Sequence, residues 1–91
     1  MRIELAGELD VATAPALRSR VDEITSADGD AWIDCTGLIF ADSSGLDILT
    51  RLAKALRTQD RRLVLTNVRP MVRRAMDVLQ ITDLFDLEEA P

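Results

Sequence analysis

The sequence predicts an α/β fold with about four mainly parallel strands and helices packed against them. Segments of strand length alternate with segments whose apolar residues recur at helical spacing, which is typical of βαβ units. The chain has 91 residues and is 47% hydrophobic, values that fit one small globular domain. We therefore expect residues 1–91 to form a single domain in which the crossovers between parallel strands are right-handed.

The first third of the chain predicts a strand and a helix. Polar and apolar side chains alternate over Arg2–Ala6, which indicates a half-buried strand, and Gly7–Asp10 is expected to be a loop. A helix is predicted over Thr13–Ser26, with Thr13 as its N-cap and Pro15 in its first turn. Its inward residues recur at spacings of four and three, namely Leu17, Val21 and Ile24.

The second predicted strand is Ala31–Cys35, followed by a loop over Thr36–Asp42. Asp34 is unusual within it, because burying an unpaired carboxylate is costly. We expect Asp34 to lie at the end of the strand, where backbone N–H groups or water satisfy its carboxylate.

A long helix is predicted to follow the Asp42–Gly45 turn. Asp47, Arg51 and Lys54 fall on its outer face, and Ile48 lies at the boundary, where partial burial is expected. The inward stripe consists of Leu46, Leu49, Leu52, Ala53 and Leu56.

The last third of the chain predicts a strand, a helix and a short final strand. The strand covers Leu63–Asn67, and Pro70 can begin the helix. The final strand is expected over Leu84–Leu87, and the acidic tail Glu88–Pro91 is expected to fray. The third helix should direct three apolar residues inward, namely Val72, Met76 and Leu79.

Composition excludes several function classes. The net charge of −5 argues against a nucleic-acid partner, and the absence of histidine removes histidine-based catalysis and histidine-ligated metal sites. The single cysteine, Cys35, allows no internal disulfide and fits a reducing compartment. No apolar run approaches the roughly 18 residues that span a bilayer, so we expect a cytoplasmic protein with no membrane insertion. We expect no catalytic residue, metal or cofactor.

The Asp42–Gly45 turn is the strongest candidate site. Hydroxyls at a helix start lie beside backbone N–H groups that lack helical partners, and this end of a helix favours an anion such as a phosphate. The structural alternative is capping, in which Ser44 and Asp47 form a capping box and Gly45 allows close packing. Loops at the carboxyl ends of parallel strands gather at one edge of the sheet. One edge should therefore hold Asp10, Asp42, Ser43, Ser44 and Asn67.

Two stretches of the chain resemble the STAS family, and within it the bacterial anti-sigma factor antagonists. One is Leu5–Asp10, which reads Leu-Ala-Gly-Glu-Leu-Asp, and the other runs from Ile33 to Leu46 through the Asp-Ser-Ser-Gly turn. The resemblance covers almost the whole chain. This chain departs from the family in lacking the usual extra N-terminal strand and C-terminal helix. One hypothesis is that a homodimer contact replaces them, because an uncovered sheet edge favours pairing.

The resemblance implies a regulator that is not an enzyme. Such proteins bind an anti-sigma factor that is also an ATP-dependent serine kinase, and so release a sigma factor. The kinase inactivates them by phosphorylating the serine after the aspartate, here Ser43, with Ser44 as the weaker candidate, and a serine phosphatase restores them. The partner is expected to contact Asp10, Asp42, Ser43, Ser44, Gly45, Asp47 and Ile48.

Two alternatives come from other function classes. STAS domains also occur as subunits or domains that regulate membrane transporters of phospholipids or anions. The second alternative is an enzyme or phosphoacceptor domain in which Asp10, Asp34 and Asp42 hold Mg²⁺ through carboxylate oxygens. It is the weaker of the two, because a phosphoacceptor domain of the receiver type needs a lysine near its acidic site. The only lysine here, Lys54, is predicted on an outer helix face.

Overall fold

The computed structural model describes residues 1–89, which form a four-stranded sheet with helices. The strands are β1 (Arg2–Leu9), β2 (Ala31–Ala41), β3 (Leu63–Thr66) and β4 (Asp86–Glu88). They are ordered β1-β2-β3-β4, and each neighbouring pair is parallel. The predicted α/β fold with about four parallel strands is confirmed.

The helices are α1 (Ala14–Arg18), α2 (Val21–Ser26), α3 (Ser43–Arg57) and α4 (Pro70–Val78), with a 3₁₀ turn at Thr82–Leu84. Strands that follow chain order in a parallel sheet place all their right-handed crossovers on one face. Burial agrees with this arrangement, because the register row Ile3, Ile33 and Leu65 belongs to the core. The next row is more exposed on the first two strands, where Glu4 is exposed and Asp34 is partly exposed, whereas Thr66 of β3 is buried.

The first two strands are longer than predicted. Most of the expected loops Gly7–Asp10 and Thr36–Asp42 is strand, because Gly7 pairs with Leu38 and Leu9 pairs with Ala41. The register shifts twice along this pair, and Gly7 adopts a positive φ of 77° at the irregularity. The two loop predictions were therefore wrong, since pairing with a distant strand extends both segments.

The predicted helix Thr13–Ser26 is two short helices. It breaks between Arg18 and Val21, where the Ser19 hydroxyl donates to the carbonyl of Ala16 at 2.7 Å. Such local hydrogen bonds compete with helix continuation. Thr13 precedes α1 but forms no side-chain cap, because its hydroxyl donates instead to the Glu8 carbonyl at 2.7 Å.

The C-terminal elements match the predictions in part. Pro70 begins α4 as expected, and Val72 and Met76 are buried. Leu79 is 44% exposed, so its inward assignment was wrong; α4 ends at Val78 and Leu79 is its C-cap. A 3₁₀ turn replaces the start of the predicted strand Leu84–Leu87, and β4 begins at Asp86.

The ends of β3 and β4 differ from the predicted ends. β3 stops one residue before the predicted end, where Asn67 takes a positive φ of 58°. Glu88, assigned to the fraying tail, belongs to β4, whereas Ala90 and Pro91 lie outside the described residues.

Arg61 fixes the end of α2 against the sheet. Its guanidinium donates to the carbonyls of Ile24 at 2.9 Å, Thr25 at 3.1 Å and Gly29 at 2.5 Å. These are carbonyls at and after the last turn of α2, where a helix leaves its final acceptors unsatisfied. The Arg61 side chain thus provides hydrogen-bond donors for backbone carbonyls that lie more than thirty positions away in sequence.

Candidate functional site at the start of α3

Asp42 is the N-cap of α3. Its carboxylate accepts a hydrogen bond from the Gly45 amide at 3.0 Å, and its carbonyl accepts one from the Leu46 amide at 2.9 Å. Ser43 and Ser44 are therefore the first two residues inside the helix. The predicted capping box of Ser44 and Asp47 was wrong, since Asp42, two residues before Ser44, takes the capping position.

Both serines are exposed at the positive end of this helix. The first four N–H groups of a helix have no partner within it. Two of the four are satisfied here, since the Asp42 amide donates to the Leu9 carbonyl and the Gly45 amide donates to the Asp42 carboxylate. The amides of Ser43 and Ser44 remain beside their exposed hydroxyls, an arrangement that suits a phosphate group.

The end of β1 holds this turn in place. The Asp42 amide donates to the Leu9 carbonyl at 3.0 Å, and Gly45 is buried against the same residue. A Cβ atom at position 45 would lie 2.6 Å from the Leu9 carbonyl oxygen. Gly45 thus permits the close packing that the sequence predicted, and as a buried glycine it offers no side chain to a partner.

Asp10 lies next to this turn, directly after Leu9. Its carboxylate accepts hydrogen bonds from the amides of Ala12 at 2.9 Å and Thr13 at 3.1 Å, and it remains partly exposed. The predicted grouping of Asp10 with Asp42, Ser43 and Ser44 at one edge is confirmed.

Asn67 is absent from this edge, so that part of the prediction was wrong. Its side-chain amide donates to the Thr36 hydroxyl at 3.0 Å. Thr36 precedes Asp42 by six positions along β2, roughly 15–20 Å at about 3.3 Å per residue. The separation arises because β3 ends opposite Asp34, whereas β2 continues to Ala41.

Asp34 lies inside β2 rather than at the end predicted for it. Its carboxylate accepts hydrogen bonds from the Thr36 hydroxyl at 2.6 Å and the Thr36 amide at 3.0 Å. The hydrogen bond from the hydroxyl, and to a smaller extent the one from the amide, lower the pKa of the Asp34 carboxyl below its usual value. The backbone satisfaction expected for this side chain is confirmed.

The structure does not bring together the three aspartates of the Mg²⁺ alternative. Asp34 is separated from Asp10 and Asp42 by the last part of β2. Within residues 1–89, no three acidic or cysteine side chains come close enough to hold a metal ion together.

The two remaining candidates for partner contact differ in exposure. Asp47 is exposed and pairs with Arg51 at 2.9 Å. Ile48 is only 4% exposed, which contradicts its assignment to the contact surface. The prediction failed because α1 and α2 both pack against α3 and widen its buried stripe.

Sequence reasoning missed an open apolar groove beside Ser43, which we call the α3–α4 groove. It has a volume of about 380 Å³, and its walls include Asp42 and Ser43 on one side and Met71, Arg74, Val78 and Leu79 on the other. A signal was present, because Met71, Ala75 and Val78 recur at spacings of four and three. This second apolar stripe of α4 lies beside the one that was predicted.

Cys35 takes no part in a reactive site. Its side chain is fully buried, and burial raises the pKa of its thiol to about 12. A thiol with so high a pKa is a poor nucleophile at neutral pH. Separately, none of the helices in the described part of the chain has the length and apolar character needed to cross a bilayer.

Comparison with known proteins gives one family and several similar folds. The family model described as STAS domain matches residues 1–90. The anti-sigma-B factor antagonist of Bacillus subtilis is 28% identical over 87 residues, which cover 96% of this chain and 80% of that protein.

Two solved structures have a similar fold. The anti-sigma factor antagonist SpoIIAA in its unphosphorylated form has a TM-score of 0.76 and 24% identity, covering 98% of this chain and 79% of its own. A sulfate transporter family protein from Wolinella succinogenes has a TM-score of 0.81 and 15% identity, covering 96% of this chain and 75% of its own. At these identities the two structures support the fold alone.

Proposed function

Because the chain belongs to the STAS domain family, we propose that it is an anti-sigma factor antagonist controlled by phosphorylation of Ser43. In this role it binds an anti-sigma factor that is also an ATP-dependent serine kinase, and so releases a sigma factor. The name of the Bacillus subtilis relative supports the antagonist role. The observation that carries the proposal is the exposed hydroxyl of Ser43, one residue after the Asp42 cap.

The proposed modification is a phosphoryl transfer from ATP. The Ser43 oxygen attacks the γ-phosphorus, the bond to the β-phosphate oxygen breaks, ADP leaves, and the hydroxyl proton passes to a base of the kinase. A serine phosphatase reverses the state by transferring the phosphoryl group to water. Both steps are catalysed by the partners, and in them this protein is a substrate rather than an enzyme.

The fold is compatible with a phosphate on Ser43. The residue is exposed, so a phosphate displaces no core side chain. The positive end of a helix favours a nearby negative charge by about 0.3–1 kcal/mol when the site is exposed. We therefore expect phosphorylation to leave the fold and its thermal stability almost unchanged.

Partner binding is where the phosphate acts. It adds about −1.5 to −2 charges to an edge that already carries the carboxylates of Asp10, Asp42 and Asp47. Like charges that meet across an interface cost several kcal/mol. At about 1.4 kcal/mol for each factor of ten, affinity falls by about a hundredfold or more.

The proposed contact surface consists of exposed or partly exposed residues around the turn. It comprises Asp10, Asp42, Ser43, Ser44 and Asp47. Gly45 and Ile48 support this surface from beneath, because both are buried. Substitution of either residue should change binding only through a change in the packing of α3.

The alternative function is regulation of a membrane transporter. The sulfate transporter family protein shares the fold, so the fold does not separate the two functions. The exposed Ser43 supports the antagonist, because a phosphorylation switch requires an accessible acceptor. A pull-down that recovers a transporter ATPase and no kinase would favour the alternative.

The proposal is tested by incubating the purified protein with ATP and each anti-sigma kinase from its source organism. Intact mass and peptide mapping then count and locate phosphoryl groups. Wild type should gain one group at Ser43, Ser44→Ala should behave like wild type, and Ser43→Ala should gain none. Full modification of Ser43→Ala, or no modification of wild type by any kinase, would overturn the proposal.

A further inference from the structure

We propose that the α3–α4 groove is the docking site for an apolar segment of the anti-sigma factor, and that Arg74 pairs with an acidic side chain of that segment. The inference rests on the proposed function and names the surface and the partner chemistry through which that function operates.

The position of the groove links it to the phosphorylation site. Asp42 and Ser43 form part of one wall, and α4 forms the other. A partner segment lying in the groove would therefore touch the residue whose modification is proposed to control binding. A docking site much farther than about 8 Å from Ser43 would respond little to its phosphate, because salt screens exposed charges beyond this Debye length.

The α4 wall is apolar and accessible. Met71 is 67% exposed, Val78 is 75% exposed and Leu79 is 44% exposed. Single apolar side chains on a surface are common, but several around one concave surface are typical of a binding site. Apolar side chains of a partner are the matching occupants, because their burial removes both surfaces from water.

Arg74 supplies the charge that specifies the partner. It is exposed, it lines the groove, and no ion pair or hydrogen bond engages its guanidinium within residues 1–89. Asp42 is the acidic residue of the groove wall, and its carboxylate accepts the Gly45 amide. An occupant that carries a carboxylate complements this site, because arginine binds carboxylates through two parallel N–H donors.

Arg74 also links the docking site to the switch. A phosphate on Ser43 would enter the wall of the same groove and attract the guanidinium, since arginine binds phosphate as well as carboxylate. Phosphorylation would thereby remove the counter-ion of the partner carboxylate and place a like charge beside it. The same arginine thus favours docking before modification and opposes it afterwards.

The test measures affinity by calorimetry for the kinase that modifies Ser43 in the experiment above. Arg74→Gln and Val78→Ser should each weaken binding by about tenfold or more, as expected of central interface residues. Arg73→Gln is the matched control, because Arg73 is exposed on the same helix and contacts Asp77 outside the groove. It should bind within about twofold of wild type.

A double substitution tests the link to the switch. If a negative group at position 43 captures Arg74, then Arg74→Gln should have a smaller effect in the Ser43→Asp background than in wild type. Equal effects in both backgrounds would show that Arg74 does not sense the charge at Ser43, and would overturn that part of the proposal.

The outcomes separate this inference from the proposed function. If Arg74→Gln and Val78→Ser bind like wild type while phosphorylated Ser43 still abolishes binding, the groove assignment is wrong and the antagonist function stands. If no kinase binds or modifies the protein, both proposals fail. If wild type self-associates in sedimentation and Val78→Ser abolishes this, the groove binds a second copy of the chain, which also overturns the inference.

Thermal melting provides the folding control. Val78 is largely exposed, so Val78→Ser should melt close to wild type. If it does not, Met71→Ser replaces it in the same titration, because Met71 is exposed on the same wall.

Discussion

Gly45 in the first turn of α3 packs directly against Leu9 at the end of β1. A Cβ atom at position 45 would lie 2.6 Å from the Leu9 carbonyl oxygen, closer than real Cβ contacts. The same carbonyl accepts the Asp42 amide at 3.0 Å. These two contacts fix the exposed serines relative to the edge that carries Asp10, so the site depends on a backbone contact inside the domain.

Gly45→Ala should destabilise the protein even though alanine favours helices. The added methyl group meets backbone that cannot rotate away, and overpacking of this kind costs about 1–3 kcal/mol, against a helix preference of about 1 kcal/mol. Because the contact is with backbone, we expect an overpacking cost in the upper part of that range, so the free energy of unfolding in urea should fall by about 1–2 kcal/mol after the helix preference is subtracted. The neighbouring Ser44→Ala is the control, and unchanged stability of Gly45→Ala would contradict the close contact.

Two substitutions of Asp42 should distinguish the contribution of its capping hydrogen bond from that of its charge. Asp42→Ala removes the acceptor for the Gly45 amide and should cost about 1 kcal/mol of stability. Asp42→Asn retains a capping oxygen, so its urea midpoint should stay near that of wild type. Equal destabilisation by both substitutions would show that the carboxylate charge, rather than the hydrogen bond, stabilises α3.

Arg61 should be intolerant of lysine. Its guanidinium donates to three carbonyls at and after the end of α2, and a single ammonium cannot reproduce that geometry. Arg61→Lys should lower the free energy of unfolding by about 1.5–3 kcal/mol, the range for hydrogen bonds from charged groups. Arg57→Lys, on the exposed end of α3, is the control and should change stability little. Similar stabilities for the two variants would be evidence against the role of Arg61.

Asp34 should contribute to the loss of stability in acid. The Thr36 hydroxyl and amide lower the pKa of its carboxyl in the folded state. A lowered folded-state pKa stabilises the protein above the unfolded value, near 3.9, and this contribution is lost as pH falls through the folded value. Urea midpoints of wild type should therefore fall more steeply below about pH 4 than those of Asp34→Asn. Asp28→Asn, in an exposed turn, should follow wild type; parallel profiles for Asp34→Asn and wild type would contradict the prediction.

The sequence predicted those features that have local causes. The inward stripe of α3 follows its helical period, the start of α4 follows from Pro70, and β3 is a run of strand-forming residues. The exposed hydroxyls after Asp42 could also be predicted, because an aspartate before a helix places the next residues in its first turn. None of these features requires knowledge of a distant contact.

The features that were missed depend on distant contacts. Gly37 looks like a loop residue in isolation, yet its pairing with Ala6 of β1 holds it in β2. Ile48 lies at the edge of its helical stripe, and it is buried because several elements that are distant in sequence pack against α3. Asn67 was placed at the wrong edge because its position depends on the unequal lengths of β2 and β3.

The central claim is that a phosphate on Ser43 blocks partner binding while the domain remains folded. The most direct measurement compares unmodified and fully Ser43-phosphorylated protein, in calorimetric titrations with the same anti-sigma kinase and in thermal melts. We predict that affinity falls by about a hundredfold or more while the melting temperature shifts by only a few degrees. Equal affinities for the two forms, or a phosphorylated form that is unfolded, would contradict the claim.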